Sequence, residues 1–267
     1  PAAGLNDWPV VLVQAWETHR DNPLLIKHHR LARSLLSDGF AKELKPDAAE
    51  RRRLRDIVGR PPTTRLTDDE RELFWKFRYS VMSEKRALTK LLKCVDWDEP
   101  LEVSAARQII GKWAPVDVSD LIELLSTQFV ATAPWVREFA VAGLAERASD
   151  GELLSYLLPL VQAVQYEKAL PLPPAAAPLA AFLISRAARN AEIANFFAWY
   201  LAVERADERH GDHYEEVHAA LWAELDRTRA GKAVKETLVR QQQLVARISA
   251  AAASLKASKE ARPQKMA

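Results

Sequence analysis

The chain has 267 residues, enough for one large domain or two small ones. It contains 8 glycines against 15 prolines, which favours helices separated by proline-marked breaks over a turn-rich β protein. A formal charge of +2 excludes the dominant electrostatic field of a nucleic-acid-binding protein, and no apolar run reaches the ~18 residues that a membrane-spanning helix needs.

The N-terminal part carries the one strand signal. Residues 9–17, PVVLVQAWE, form a β-branched run after a proline. Because one strand cannot form a sheet, the segment is either an extended arm or the last strand of a β domain upstream.

From residue 46 onward the apolar residues recur with the period of a helix. Leu88, Leu91, Leu92 and Val95 lie at i, i+3, i+4 and i+7, on one helix face. The same spacing predicts two further helix faces. One consists of Val136, Phe139, Ala140 and Leu144, and the other of Ile193, Phe196, Phe197, Tyr200 and Leu201. Thr67 with Glu70 is a capping-box pattern, and Asp150 is a candidate N-cap. We predict helices near 24–36, 46–59, 68–81, 84–95, 99–111, 118–126, 134–147, 151–166, 179–189, 191–207, 213–229 and 232–258.

Two proline-containing sites interrupt this pattern. Pro159 lies inside an apolar helix, where we expect a kink and no break because the flanking residues keep the same face. Residues 168–178, KALPLPPAAAP, form a low-complexity linker.

Short motifs that suggest chemistry are incomplete. His19-Arg20-Asp21 matches a kinase catalytic triplet, but Ile26 stands where the metal-binding Asn is required. The segment Asp207–His210 has the wrong order for a lipid-kinase loop. The histidines His28, His29, His210 and His213 lack a third close metal ligand. We therefore assign no catalytic, cofactor-binding or metal-binding residue.

The cysteine and the tryptophans are predicted to be structural. Cys94, the single cysteine, excludes an internal disulfide, fits a reducing compartment and lies on or beside an apolar helix face. We expect six tryptophans to pack between helices, with an exposed anchor for a partner as the alternative: Trp75, Trp97, Trp113, Trp135, Trp199 and Trp222.

The C-terminal segment is basic and amphipathic. Residues 227–267 carry 10 Lys and Arg against Glu236 and Glu260. The positions Val234, Leu238, Gln241, Val245, Ile248, Ala252 and Leu255 form a heptad seam with one polar member. The sequence shows no obvious complement to this seam within the chain, so we expect the seam to lack a partner here. Three interpretations are open: a self-pairing coiled coil, a helix on acidic lipid, or the opening helix of a further domain.

Four sequence blocks resemble one known family. They are LTDDERELFWKFRYSVMSEKRALTKLLKCVDW (66–97), IIGKWAPVDVSDLIELLS (109–126), VREFAVAGLAERASDGELLSYLLPLVQAVQYE (136–167) and FLISRAARNAEIANFFAWYLAVE (182–204). In this order they are similar to the helical accessory domain of the class III phosphatidylinositol 3-kinases. KHHRLARSL (27–35) and KETLVRQQQLVARI (235–248) extend the resemblance to about residues 27–258.

The resemblance implies a domain arrangement. Residues 1–22 would end a preceding lipid-binding β-sandwich or form an arm, and residues 23–66 would be connecting helices. Residues 67–210 would be the accessory domain, with the linker 168–178, and residues 211–267 would start the kinase domain without its catalytic part. Together with the helix lengths, the resemblance predicts an all-α, right-handed solenoid of the armadillo or HEAT kind, and it favours the opening-helix interpretation of the C-terminal segment.

The resemblance also implies an activity for the parent protein. The parent would phosphorylate phosphatidylinositol at the 3-hydroxyl with ATP and Mg or Mn, in endosomal sorting and autophagy, as a cytoplasmic protein peripheral on those membranes. Implied partners are a protein-kinase-like regulatory subunit, a Beclin-type subunit and the lipid membrane, and no nucleic acid. Alternatives are a stand-alone helical-repeat binding module without enzymatic activity and a membrane-surface adaptor that uses the basic tail.

Overall fold

The structure is a computed structural model that describes residues 24, 33, 38–129, 133–170, 172 and 177–257. This part of the chain contains α-helices and three short 3-10 helices and no β-strand, so the predicted all-α class is confirmed. The predicted strand 9–17 and most of the predicted helix 24–36 lie outside the described residues. The α-helices are α1 (Asp38–Glu43), α2 (Ala48–Gly59), α3 (Asp68–Lys76), α4 (Leu88–Cys94), α5 (Pro100–Ile110), α6 (Val118–Glu123), α7 (Pro134–Arg147), α8 (Asp150–Ala163), α9 (Pro178–Ala187), α10 (Ala191–Glu204), α11 (Gly211–Leu225) and α12 (Arg229–Ala257).

Reciprocal polar pairs start three of these helices. The predicted capping box of α3 is confirmed, because the Thr67 hydroxyl accepts a hydrogen bond from the Glu70 N–H and the Glu70 carboxylate accepts one from the Thr67 N–H. Capping boxes also start α2 and α8. The cap of α8 is Ser149 and not the predicted Asp150, because the hydroxyl of Ser149 pairs with Glu152 three residues later.

A buried arginine ends α3 earlier than predicted. The helix stops at Lys76 and not near residue 81. The Arg78 side chain is 1% exposed, and its guanidinium lies over the Trp75 ring, 4.7 Å from the centroid. The Trp75 carbonyl accepts hydrogen bonds from both the Arg78 guanidinium and the Arg78 N–H. The Trp75 carbonyl, which would accept a backbone hydrogen bond in a longer helix, is therefore already bonded to Arg78.

Helices pack on their next and next-but-one neighbours. Consecutive contacts join α2 to α3, α3 to α4, α6 to α7, α9 to α10, α10 to α11 and α11 to α12. Next-but-one contacts join α7 to α9, α8 to α10, α9 to α11 and α10 to α12. This pattern is typical of stacked helix pairs, and the right-handed armadillo or HEAT arrangement stays a prediction.

Most positions of the predicted helix faces lie in the core. The predicted positions that are at most 1% exposed are Leu88, Leu91, Leu92, Val95, Val136, Ala140, Leu144, Ile193, Phe197 and Leu201. Three aromatic rings of the predicted faces are more exposed than these core positions. Phe139 is only partly buried, and Phe196 is 41% exposed and stacks on the partly buried Tyr200. Phe196 lies about 100° around α10 from Phe197, so burying one ring in the core turns the other outward.

The structure describes Pro159 and both ends of the predicted linker. α8 continues through Pro159, so as expected this proline does not break the helix, and the kink stays a prediction. The linker 168–178 is described only at residues 168–170, 172, 177 and 178. On its N-terminal side, the Lys168 ammonium donates to the Arg209 carbonyl at 2.7 Å. On its C-terminal side, the Glu167 carboxylate accepts hydrogen bonds from two N–H groups in the first turn of α9.

Candidate docking site on the C-terminal helix

The first half of α12 is attached to the preceding helices. Leu238 is 1% exposed, and Val234 packs against the core. The Lys235 ammonium donates to the Asp226 carboxylate at 2.5 Å, next to the end of α11. The Trp199 indole N–H of α10 donates to the Gln241 side-chain oxygen at 3.3 Å. The polar member of the predicted seam thus has a partner within the chain.

Beyond Gln241 the same seam is open. Val245, Ile248 and Leu255 of this seam are 47%, 60% and 46% exposed, and they share one face of the helix because they keep the heptad period. Leu244 borders the seam and is 57% exposed. Large apolar side chains clustered on one exposed face mark an interaction site more often than isolated ones do. We call this face, residues 244–255, the open seam.

The charges around the open seam have one sign. Arg247 and Lys256 lie on this half of the helix, and no Asp or Glu occurs between residues 237 and 257. Glu236, one turn earlier, is 3.9 Å from the Arg240 guanidinium, and both side chains are exposed. Like charges would repel in a parallel self-pairing coil, which disfavours that interpretation.

The kinase-like segment before α11 has a local structural role. The Asp207 carboxylate accepts hydrogen bonds from the N–H groups of Arg209 and His210 at 2.9 and 2.7 Å and contacts the His210 ring at 3.1 Å. These hydrogen bonds lower the pKa of the Asp207 carboxyl group, and the one from the His210 N–H has the largest effect. The segment therefore stabilises the turn that leads into α11. The other triplet, residues 19–21, lies outside the described residues.

The histidines are not brought together. His213 is buried, and its Nε2 lies 3.1 Å from the Val164 carbonyl oxygen, whereas His210 faces Asp207. Desolvation lowers the pKa of His213. The adjacent pair 28–29 lies outside the described residues. Where the structure describes the chain, no group of three or more His, Cys, Asp or Glu side chains is placed to hold a metal ion.

Cys94 and five of the six tryptophans pack as the sequence predicts. Cys94 is fully buried, its thiol donates to the Lys90 carbonyl at 3.0 Å, and burial raises its pKa to about 12. Trp75 and Trp113 are buried. The remaining predicted tryptophans are partly exposed, and three of them pack against the core: Trp97, Trp135 and Trp222.

Sequence reasoning missed the buried charged residues. Glu102 is 6% exposed and accepts two hydrogen bonds of 2.7 Å from the Arg33 guanidinium, which also donates to the Cys94 carbonyl. Lys90 is 1% exposed although its type is normally on the surface. A lysine inside the apolar run ALTKLL was the available signal for Lys90. No local pattern identifies a pair that is 69 residues apart.

Comparison with known proteins defines the family. A sequence model described as the accessory domain (PIK domain) of the phosphoinositide 3-kinase family matches residues 42–234. The chain belongs to the phosphoinositide 3-kinase family. The phosphatidylinositol 3-kinase root isoform of Glycine max is 41% identical over 93% of this chain and 30% of its own length. The VPS34 phosphatidylinositol 3-kinase of Arabidopsis thaliana is 40% identical over 88% of this chain and 29% of its own length.

A more distant phosphoinositide 3-kinase agrees with these two. VPS34 of Saccharomyces cerevisiae is 31% identical over 78% of this chain. The resemblance to the class III helical domain is thereby confirmed. The chain spans 29–30% of the length of these three relatives. Among the described residues of this phosphoinositide 3-kinase chain, no helix combines the length and apolar character that crossing a membrane requires.

Proposed function

We propose that this chain is the helical scaffold of a class III phosphatidylinositol 3-kinase. The observation that carries the proposal is the match of residues 42–234 to the family's accessory domain. The parent phosphorylates phosphatidylinositol at the 3-hydroxyl with ATP and Mg or Mn, in endosomal sorting and autophagy. It does so in the cytoplasm, peripherally on endosomal and autophagic membranes. Its partners are a protein-kinase-like regulatory subunit and a Beclin-type subunit.

The polar groups of the described residues support a scaffold role. Glu102, Arg137, Glu167 and His213 are buried and hydrogen-bonded to groups within the chain. Groups held in this way maintain the positions of helix ends, since each would cost free energy if it lost its partner. They are not arranged around a pocket with a nucleophile or a base. The chain therefore contributes rigidity to the parent and no chemistry.

The open seam supports the continuation of this scaffold into a further domain. The attached part of α12 fixes the direction of the helix, and the open seam then presents an apolar face beyond the accessory domain. We propose that α12 is the opening helix of the kinase domain and that this domain covers the open seam. The alternative, a stand-alone helical-repeat binding module, places a separate partner protein on the same face.

A lipid-kinase assay tests the scaffold proposal. The purified chain and the full-length protein are each given phosphatidylinositol vesicles, ATP and Mg or Mn. We expect 3-phosphorylated lipid from the full-length protein and none above a no-protein blank from the chain. Product from the chain alone would contradict the scaffold role, and an inactive full-length protein that is folded and in complex with its subunits would favour the binding module.

A further inference from the structure

Lys90 is a buried cation with unused hydrogen-bonding capacity. Its side chain, on α4, is 1% exposed. Among the described residues, its ammonium makes one hydrogen bond, to the Arg86 carbonyl, at the long distance of 3.4 Å. An ammonium has three donors, so two of them have no hydrogen-bond acceptor in the described part of the chain, although the nearby Asp120 carboxylate interacts electrostatically with Lys90. Burial of a charge is unfavourable unless acceptors compensate it.

These donors adjoin an open pocket. Lys90 lines a pocket of about 240 Å³ between the loop after α2, α4 and the start of α6. Arg60 and the exposed Arg86 line the same pocket. Asp120 is its one acidic lining residue, and an oxygen of its carboxylate accepts a hydrogen bond from the Thr89 hydroxyl at 3.2 Å. Cations therefore outnumber acids in the pocket.

A second pocket shares Arg60 with the first and is lined by three arginines and two acidic residues. It has a volume of about 260 Å³, and Arg52 and Arg53 line it together with Arg60. The Arg60 guanidinium is held in place by Asp56 at 2.6 Å and by Glu70 at 2.8 Å. Arg52 and Arg53 are exposed and have no ion pair within the described part of the chain. We call the five residues Arg52, Arg53, Arg60, Arg86 and Lys90 the Arg60 surface.

The shape and chemistry of the Arg60 surface favour a peptide over a bilayer. Its cations lie in two concave pockets, into which an extended chain can place side chains and a flat bilayer cannot. No large apolar side chain is exposed between residues 41 and 100, so this surface offers nothing to insert into lipid. Guanidinium groups bind carboxylate and phosphate oxygens in bidentate geometry, and an ammonium binds them as a point charge.

We propose that the Arg60 surface binds an extended acidic segment of a partner protein, with one carboxylate or phosphate group of that segment accepting hydrogen bonds from Lys90 and Arg86. The arginines of the second pocket contact acidic side chains further along the same segment. The ligand supplies the hydrogen-bond acceptors that Lys90 lacks among the described residues. This inference does not depend on the activity of the parent protein.

Binding of labelled peptides to the full chain tests the proposal. The probes are a fluorescent peptide of alternating Glu and Ser, its phosphoserine counterpart and a neutral Gln-Ser peptide, measured by anisotropy. The variants are Arg86→Ser, Arg53→Ser and Lys90→Met, with Arg189→Ser as the control, an exposed arginine at the end of α9. Circular dichroism verifies folding, and the exposed Arg86→Ser and Arg53→Ser variants keep the test valid if Lys90→Met unfolds.

The expected result separates specific from general electrostatic binding. An acidic peptide should bind, and Arg86→Ser should weaken it by about tenfold, the loss of one charge-assisted bidentate contact, while Arg189→Ser leaves it unchanged. The two acidic peptides distinguish a carboxylate from a phosphate ligand. The proposal would be overturned by a loss with Arg189→Ser as large as that with Arg86→Ser, by no binding of either acidic peptide, or by binding only to phosphatidylserine vesicles in a parallel sedimentation assay.

Discussion

Arg137 and Glu167 form an ion pair of 3.0 Å in which both side chains are at most 1% exposed. The Arg137 guanidinium also donates to the Leu125 carbonyl at 2.9 Å and to the Ala163 carbonyl at 2.7 Å. The Glu167 carboxylate accepts two N–H groups from the first turn of α9. One pair therefore joins the turn after α6, the end of α8 and the start of α9, and each side-chain nitrogen and oxygen of the pair makes at least one hydrogen bond.

Removal of one member of this pair should be strongly destabilising. We expect Arg137→Met to lower the free energy of unfolding by about 3–5 kcal/mol, because Glu167 would remain buried without its cation. Urea unfolding followed by circular dichroism measures the change. Arg147→Met is the control, since Arg147 is partly exposed and its loss should cost less than about 1 kcal/mol. Equal losses for Arg137→Met and Arg147→Met would show that burial of the ion pair does not contribute to the free energy of unfolding.

Two phenylalanines in neighbouring parts of the core should differ in their contribution to stability. Phe197 is fully buried, so Phe197→Ala should cost about 3–5 kcal/mol. Sequence periodicity predicts the same cost for Phe139, but its ring is partly exposed in the structure, and we expect about 1–2 kcal/mol for Phe139→Ala. A Phe139→Ala cost that reaches that of Phe197→Ala would place this ring in the core after all.

Stability should fall on acidification through two buried histidines of α11. Desolvation lowers the pKa of both His213 and His218 below the ordinary value of 6.5. As the pH falls, these histidines therefore bind protons at a higher pH in the unfolded chain than in the folded chain. Their contribution to the free energy of unfolding is fully present above about pH 6.5 and is lost below it. Urea midpoints between pH 7.5 and 5 measure the slope. The double variant His213→Gln, His218→Gln should have a shallower slope, and an unchanged slope would assign the effect to other groups.

Cys94 should be unreactive in the folded chain. Its thiol is fully buried, and with a pKa of about 12 the nucleophilic thiolate is scarce at neutral pH. We expect a thiol-reactive dye to label Cys94 at the rate of unfolding in native buffer and within seconds in urea. Rapid native labelling would place the thiol at an accessible surface.

The two halves of α12 should differ in hydrogen exchange. The sequence predicts that the whole seam lacks a partner within this chain, but Leu238 is buried, so that prediction is wrong for the first half. We expect slow amide exchange up to about residue 241 and fast exchange in the open seam, because an unsupported helix end is marginal in water. Slow exchange throughout, dependent on protein concentration, would indicate self-pairing.

The proposed cover of the open seam can be tested by a charge. We expect Ile248→Glu to destabilise the full-length protein by at least about 2 kcal/mol, since it would bury a carboxylate, and to leave this chain alone unchanged. Ala246→Glu is the matched control, about 160° away around the helix. Thermal unfolding of all four proteins measures the effects. Equal behaviour of the two variants in the full-length protein would mean that the open seam stays uncovered.

Local patterns in the sequence determined the helical class, the capping box at Thr67 and most of the core faces, because helix periodicity and capping involve residues within a few positions of each other. The four sequence blocks also determined the family. Only the tertiary structure decided that Phe196 faces outward, that α12 is attached up to Gln241 and open beyond it, and that Arg137 pairs with Glu167. Those outcomes depend on which helix covers which face and on partners 30 or more residues apart, and a local period carries no information about either.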